Sequence, residues 1–265
     1  MKTYTYSALQ FYKKPPGALY SAFGVLLLIF FWQLASGHMS GLVIAPPADT
    51  LRALYRILSR TDFLSSHFLV SIQRLFLGIA FGVAAGFGLG IPAGLSRPFR
   101  LMLEPFRWVL MSIPAVVVIM VALLWFGMGS AMVVFITSLL LSPVVYVSTI
   151  EGMHSVDRDL VEMAEIYRFS LWMKIRDIYL MSIAVPLASG MAIVIGNGIR
   201  IVVLAEVLGA HEGLGYILSS ARTNLDIAEL YALVLLSLLI VGITDFCMLK
   251  PVLNKIMRWR GRNND

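Results

Sequence analysis

The chain has 265 residues, 59% of them hydrophobic and only 14% charged, with a mean hydropathy of +0.84. A soluble domain is nearer ~25% charged, and no soluble fold of this size can hide so much apolar side chain, so lipid is the solvent and the fold class is all-α membrane protein. The formal charge of +6 comes without an aromatic-interleaved basic patch, which excludes a nucleic-acid partner and fits the basic flanks of membrane spans.

Six stretches reach the ~20 apolar residues that a bilayer crossing needs: about 18–37, 68–95, 107–126, 130–150, 183–207 and 229–249. The first follows Lys13 and Lys14, as a secretory signal would. Its apolar core is longer than a signal's, and no small-x-small cleavage site follows, so it reads as an uncleaved anchor. In the second, Gly78, Gly82, Gly86, Gly90 and Gly94 recur every fourth residue. They lay a small-residue stripe along one helix face, which in lipid lets backbones approach closely. Arg74, near one end of the same span, is expected to snorkel to the headgroups.

Pro114, Pro143 and Pro186 lie in or near spans, where they kink helices or open their ends. The fifth span holds Asn197, Arg200 and Glu206. Polar groups are expensive there and face a bundle interior or a water path. Asn197 and Arg200, three apart, share a helix face. Glu206 lies about 240° round from Arg200 on an ideal helix, so a direct pair needs an irregularity, which Gly196 and Gly198 can supply. All three are candidates for lining a path or for buried contacts, and Glu206 also for gating. Cys247 stands alone in the sixth span and allows no intrachain disulfide, while the four histidines show no ligand spacing, so no metal site is expected.

With the N-terminus placed in the cytoplasm, fifteen of the 21 basic residues fall on inner segments. Only Arg52, Arg56, Arg60 and Arg222 fall on outer ones. That bias predicts both termini inside. The layout is a cytoplasmic segment over 1–17, a transmembrane region over 18–250 and a basic cytoplasmic tail over 251–265.

Residues 151–182 interrupt the pattern. They carry Glu162, Glu165, Arg168, Lys174, Arg176 and Asp177, too polar to span and too long for a tight turn. Asp157 or Asp159 can cap a helix start, with Glu162 in the first turn where negative charge suits the helix dipole. Met163, Ile166 and Tyr167 follow at helical spacing, and a second amphipathic segment runs over Leu171–Leu180. Two short helices across the cytoplasmic mouth are predicted. Physics alone leaves two readings open: a hairpin resting on lipid headgroups, or a contact for a partner protein.

The loop resembles the cytoplasmic "EAA" segment of bacterial ABC importer permeases, which reads Glu-Ala-Ala, three residues, Gly, nine residues, Ile-x-Leu-Pro. Glu162-Met163-Ala164 matches the opening, and Ile178 and Leu180 fall at the required offsets. Arg168 replaces the Gly and Met181 the Pro, so the turn is expected to form without glycine's freedom at positive φ. "LVIAPPADTLRAL", "SIQRLFLGIAFGVAAGFGLGIPAGLS" and "VVLAEVLGAHEGLGYIL" resemble, in order, segments of the nitrate/sulfonate/taurine-type permeases.

That resemblance implies a type I importer permease of six transmembrane helices, working as a homodimer with two cytoplasmic ATPase subunits and an external solute-binding protein. It implies a small anionic solute and a bacterial inner-membrane location. The coupling role would fall on Glu162, Met163, Ala164, Tyr167, Arg168, Phe169 and Trp172, with Glu162 and Ala164 at the docking face and the aromatics as anchors. No G-x-x-x-x-G-K-[ST] phosphate loop is present, so ATP and magnesium would belong to the partner subunits and the chain has no catalytic or cofactor-binding residues of its own. The competing classes are a self-contained secondary transporter, which would need an ion-coupling site, and a non-transporting membrane scaffold.

Overall fold

The computed structural model describes residues 17–41, 43–156 and 158–244. Among them every regular element is a helix. These are α1 (Gly17–His38), α2 (Pro47–Leu58), α3 (Leu69–Leu95), α4 (Arg97–Ser112), α5 (Ala115–Phe126), α6 (Ser130–His154), α7 (Arg158–Ile166), α8 (Leu171–Lys174), α9 (Leu180–Gly209), α10 (Leu214–Thr223) and α11 (Ile227–Thr244). Wider π-helical turns, Phe63–Phe68 and Ile175–Tyr179, lead into α3 and α9. The opening segment up to residue 16, Cys247 and the expected tail over 251–265 lie outside the described residues.

Prolines set several limits. Pro47 sits in the first turn of α2, where a missing N–H costs nothing. Ile113 precedes Pro114 and is extended, with φ −72° and ψ 131°, because the proline ring crowds the helical region of the residue before it. The third expected span, 107–126, is therefore not one helix: α4 and α5 meet there at a bend of 103°. Pro143, by contrast, lies inside an unbroken α6. The Leu139 carbonyl, which the missing N–H would have met, accepts the Ser142 hydroxyl at 3.0 Å instead.

Among the described residues four helices are long and apolar enough to cross a membrane: Phe63–Leu95, Ser130–His154, Ser182–Gly209 and Ile227–Thr244. The bent pair α4–α5 makes a fifth. The first expected span coincides with α1, whose apolar stretch Ala22–His38 falls short by the same measure.

The glycine stripe is a backbone seam. Gly78 faces Thr137, Gly82 faces Ser138, Gly86 faces Ser142, Gly90 faces Thr149 and Gly94 faces Met153, so α3 and α6 run parallel. A Cβ at Gly86 would lie 2.5 Å from the Ser142 carbonyl oxygen. The buried hydroxyls of Thr137 and Thr149 donate to the Val133 and Val145 carbonyls of their own helix, at 2.7 and 2.8 Å.

Helix α9 runs antiparallel to α6, with Gly152 against Ile183 and Gly190 against Ser148. Gly198 packs on Leu75 and Leu141, and α9 is unbroken there. Gly198 thus serves close packing, and the irregularity expected near Asn197 is not found. Ile119, Met132, Ile136 and Val202 fill the centre. A second cluster, around Ile57, Phe63, Leu214 and Leu233, joins α2, α10 and α11 at one end of the bundle. The hairpin of α7 and α8 lies at the other end of α9.

Candidate functional site

At the α10 end, several elements converge on Glu206, which is 0% exposed, and on Arg74, which is 3% exposed. Arg74 Nη1 meets Glu206 Oε1 at 2.8 Å. The same guanidinium donates to the Glu212 carbonyl at 2.8 Å and, through Nε, to the Ser130 hydroxyl at 3.0 Å. Ser71 Oγ lies 2.8 Å from both Glu206 oxygens and accepts the Leu214 N–H at 2.8 Å. Gly215 N–H reaches Glu206 Oε2 at 3.0 Å, and Gly213 N–H reaches His67 Nδ1 at 3.3 Å. Arg74 therefore does not snorkel. A carboxylate and a carbonyl inside the bundle satisfy its planar fork, and the headgroups are not needed.

The helix ends explain the geometry. Leu214 and Gly215 open α10, whose first N–H groups have no partner in their own helix. Ser71 and Glu206 cap them from α3 and α9. A carboxylate near the end of α9 is disfavoured by that helix's dipole, but the start of α10 favours it. Gly213, before α10, has a φ of 106°, and a Cβ there would collide with the Glu206 carboxylate.

At the hairpin end, Glu162, Met163, Tyr167, Arg168 and Trp172 are exposed and Phe169 is half-buried. Ala164 is 0% exposed. Its carbonyl accepts the Phe169 N–H at 2.8 Å. The exposed apolar surface is made by Ile166, Tyr167, Leu171 and Trp172, with Ile166 at 79% and Trp172 at 69%. Ser170 caps α8, accepting the Met173 N–H at 3.3 Å, and Lys174 reaches Glu165 at 3.2 Å. Arg176, hydrogen-bonded to Asp177 at 2.7 Å, holds that carboxyl below its usual range; so exposed a pair adds little stability.

The turn after α7 does use positive φ: Arg168 itself takes φ 54°. Phe169 N–H bonds the Ala164 carbonyl at 2.8 Å and Arg168 N–H the Glu165 carbonyl at 3.0 Å. This pair is the Schellman closure of a helix end, and its geometry outweighs the preference of an arginine for negative φ. Left-handed backbone costs a non-glycine residue roughly 1–2 kcal/mol. Arg168→Gly is accordingly expected to stabilise the hairpin by about 1 kcal/mol, read as slower proteolysis between α7 and α8. Faster cleavage would show that the arginine side chain holds the turn.

On α9, Ile193, Asn197 and Arg200 are exposed along one face. The structure thus brings Asn197 and Arg200 together and sets Glu206 apart, turned into the bundle. Arg200 makes no ion pair or hydrogen bond among the described residues.

Residues 78–249 match the family described as "Binding-protein-dependent transport system inner membrane component". The chain belongs to that family. As an ABC importer permease it is a multi-pass inner-membrane transport protein and not an enzyme, which removes the secondary transporter and the scaffold. It is 27% identical over 253 residues to an aliphatic sulfonates transport permease protein of Bacillus subtilis (strain 168), covering 94% of this chain and 91% of the relative. It is 25% identical over 244 residues to a taurine transport system permease protein of Escherichia coli (strain K12), covering 89% and 87%. The permease shares its fold with a chain of an inward-facing methionine ABC transporter, at TM-score 0.60 and 14% identity over 71% of this chain and 93% of that one. A bacterial alginate ABC transporter bound to its periplasmic protein gives 0.58 and 14%, covering 88% and 96%.

Sequence reasoning about the permease misses Ser71 and Gly215 as partners of Glu206, Ser130 as a partner of Arg74 and His67 as the partner of Gly213, and Ile166 and Leu171 as exposed hairpin residues. A signal for the first group is present: Gly213 and Gly215, within ten residues after an intramembrane glutamate, mark backbone that approaches it closely. Ile166 and Leu171 are indistinguishable in sequence from the buried side of an amphipathic helix.

Proposed function

We propose that two copies of this permease form the translocation path of an ATP-driven importer for a small anion, a sulfonate, nitrate or related compound, handed over by an external solute-binding protein. Two ATPase subunits, which carry the ATP and magnesium, dock on the α7–α8 hairpin in the cytoplasm. The chain crosses the membrane six times, with both termini on that side.

The observation that carries this reading is the apolar patch of Ile166, Tyr167, Leu171 and Trp172 on an otherwise polar segment. Burying such a side chain is worth about 1.5–3 kcal/mol, so a protein groove over the patch gains several such terms. The hairpin also runs without a break into α9, so a push on it moves a span. Arg200 supports the anion and the second copy. A charge at mid-span costs at least ~2.5 kcal/mol against lipid, and a water path shared between two copies removes that cost. The names of the sulfonate and taurine relatives point to the same class of solute, and the basic bias of the predicted inner segments supports the orientation.

Trp172→Asp with Ile166→Asp tests the docking. Both side chains are exposed, so the spans should fold and reach the membrane in normal amounts, while the ATPase recovered on purification should fall at least tenfold. Glu162→Lys, also exposed, should weaken docking through charge reversal. Full uptake with the ATPase still bound would assign the hairpin to the lipid surface. In a separate test, Arg200→Ala should impair uptake in an intact complex and Arg200→Lys should restore it in part, since lysine keeps the charge without the planar fork. Normal uptake by the alanine variant would reduce Arg200 to packing.

A further inference from the structure

Four consecutive residues at the join of α9 and α10, two before α10 and its first two, are each held through the backbone by a buried or half-buried side chain from another element. Arg74 takes the Glu212 carbonyl, His67 the Gly213 N–H, Ser71 the Leu214 N–H and Glu206 the Gly215 N–H. Only His211 and Glu212 of this loop are exposed. A loop that merely joins two helices can be capped by a solvated Ser or Asp. A buried ion pair is a poor source of net stability, because desolvation offsets its attraction. What the arrangement supplies is stiffness at one point, the join between α9 and the head of α10.

At the other end, α9 continues through the turn Ile175–Tyr179 into α8. From Leu171 to Gly209 the chain is one continuous helical rod of about 40 residues, with the π-helical turn and Pro186 inside it. We propose that Arg74, Glu206 and Ser71 are positioning residues that lock the loop 210–215 and the head of α10 to this rod. A displacement imposed on the hairpin is then delivered at His211 and Glu212 on the opposite side of the membrane. This rests on the importer reading, in which a partner drives the hairpin.

The test uses the complete transporter with its co-purified ATPase, in a Cys247→Ser background that removes the single native thiol. Nitroxide labels are placed at Leu180→Cys, exposed at the hairpin end of α9, or at His211→Cys. Distances between the two copies are measured by electron–electron double resonance before and after trapping with ATP and vanadate. In the otherwise wild-type protein both distances should shift by several ångströms. In Glu206→Gln and in Ser71→Ala the Leu180 shift should persist, while the His211 shift falls below half and its distribution broadens. Arg74→Lys, which keeps the charge but not the fork, should fall between. An unchanged His211 shift in assembled Glu206→Gln or Ser71→Ala complexes would overturn the proposal. So would loss of both shifts in a folded Ser71→Ala complex, since the clasp would then act on the whole fold. If neither label responds in the wild type, the ATP-driven reading itself fails.

Discussion

Glu206→Ala is expected to cost about 3–5 kcal/mol, the range for removing one partner of a buried ion pair. The loss is large because Arg74 is 3% exposed and cannot reach water when its carboxylate goes. Ser71 and the Gly215 N–H lose an acceptor in the same step. The double variant Arg74→Met, Glu206→Leu should recover part of the loss, since two apolar side chains leave no uncompensated charge. Thermal unfolding in detergent checks the order: single variant lowest, double variant between it and the wild type. A Glu206→Ala protein as stable as the wild type would mean that Arg74 finds another anion or water, and that the clasp is loose.

A comparable effect is expected at the α3–α6 seam, with a control two residues away. Gly86→Leu places a side chain where even a Cβ lies 2.5 Å from the Ser142 carbonyl oxygen and 2.7 Å from Val145 Cβ. Overpacking costs about 1–3 kcal/mol where neighbours can shift. Here one neighbour is a backbone carbonyl, so the helices must separate, and in lipid no hydrophobic force draws them back. Gly88→Leu meets nothing within 4 Å and faces outward. The first should accumulate poorly and elute as aggregate; the second should match the wild type. Equal behaviour of the two would remove the seam as the basis of the fold.

The seam is legible in the sequence because five glycines at a spacing of four describe a helix face without reference to its partner. The prolines are legible only as candidates: Pro114, Pro143 and Pro186 carry the same signal, and of the three only Pro114 ends a helix. The clasp is not legible. Arg74 and Glu206 are 132 positions apart, and periodicity carries no information on which faces meet. Arg74 near a span end has the same signature whether it reaches headgroups or a carboxylate. The turn at Arg168 is misjudged for a different reason: residue preference at positive φ is weak against two backbone hydrogen bonds that require that geometry. The burial of Ala164 is not legible either, because position within a motif does not say which side of a short helix is covered.

The parallel pairing of α3 and α6 also sets a schedule for biosynthesis. The partners lie about sixty residues apart, with the bent pair α4–α5 between them. At ~5–20 residues per second of chain growth, α3 leaves the ribosome roughly 3–12 s before the helix it must meet. Its seam face can wait in lipid unaided, while Arg74 at its start waits longer, for Glu206 of α9. The stripe is glycine, whose backbone groups are already used within the helix, so nothing polar is left open on it. The hydroxyls of the seam arrive on α6, already bonded to their own carbonyls. At the seam neither face needs a holder, and the join between them forms by docking two finished surfaces.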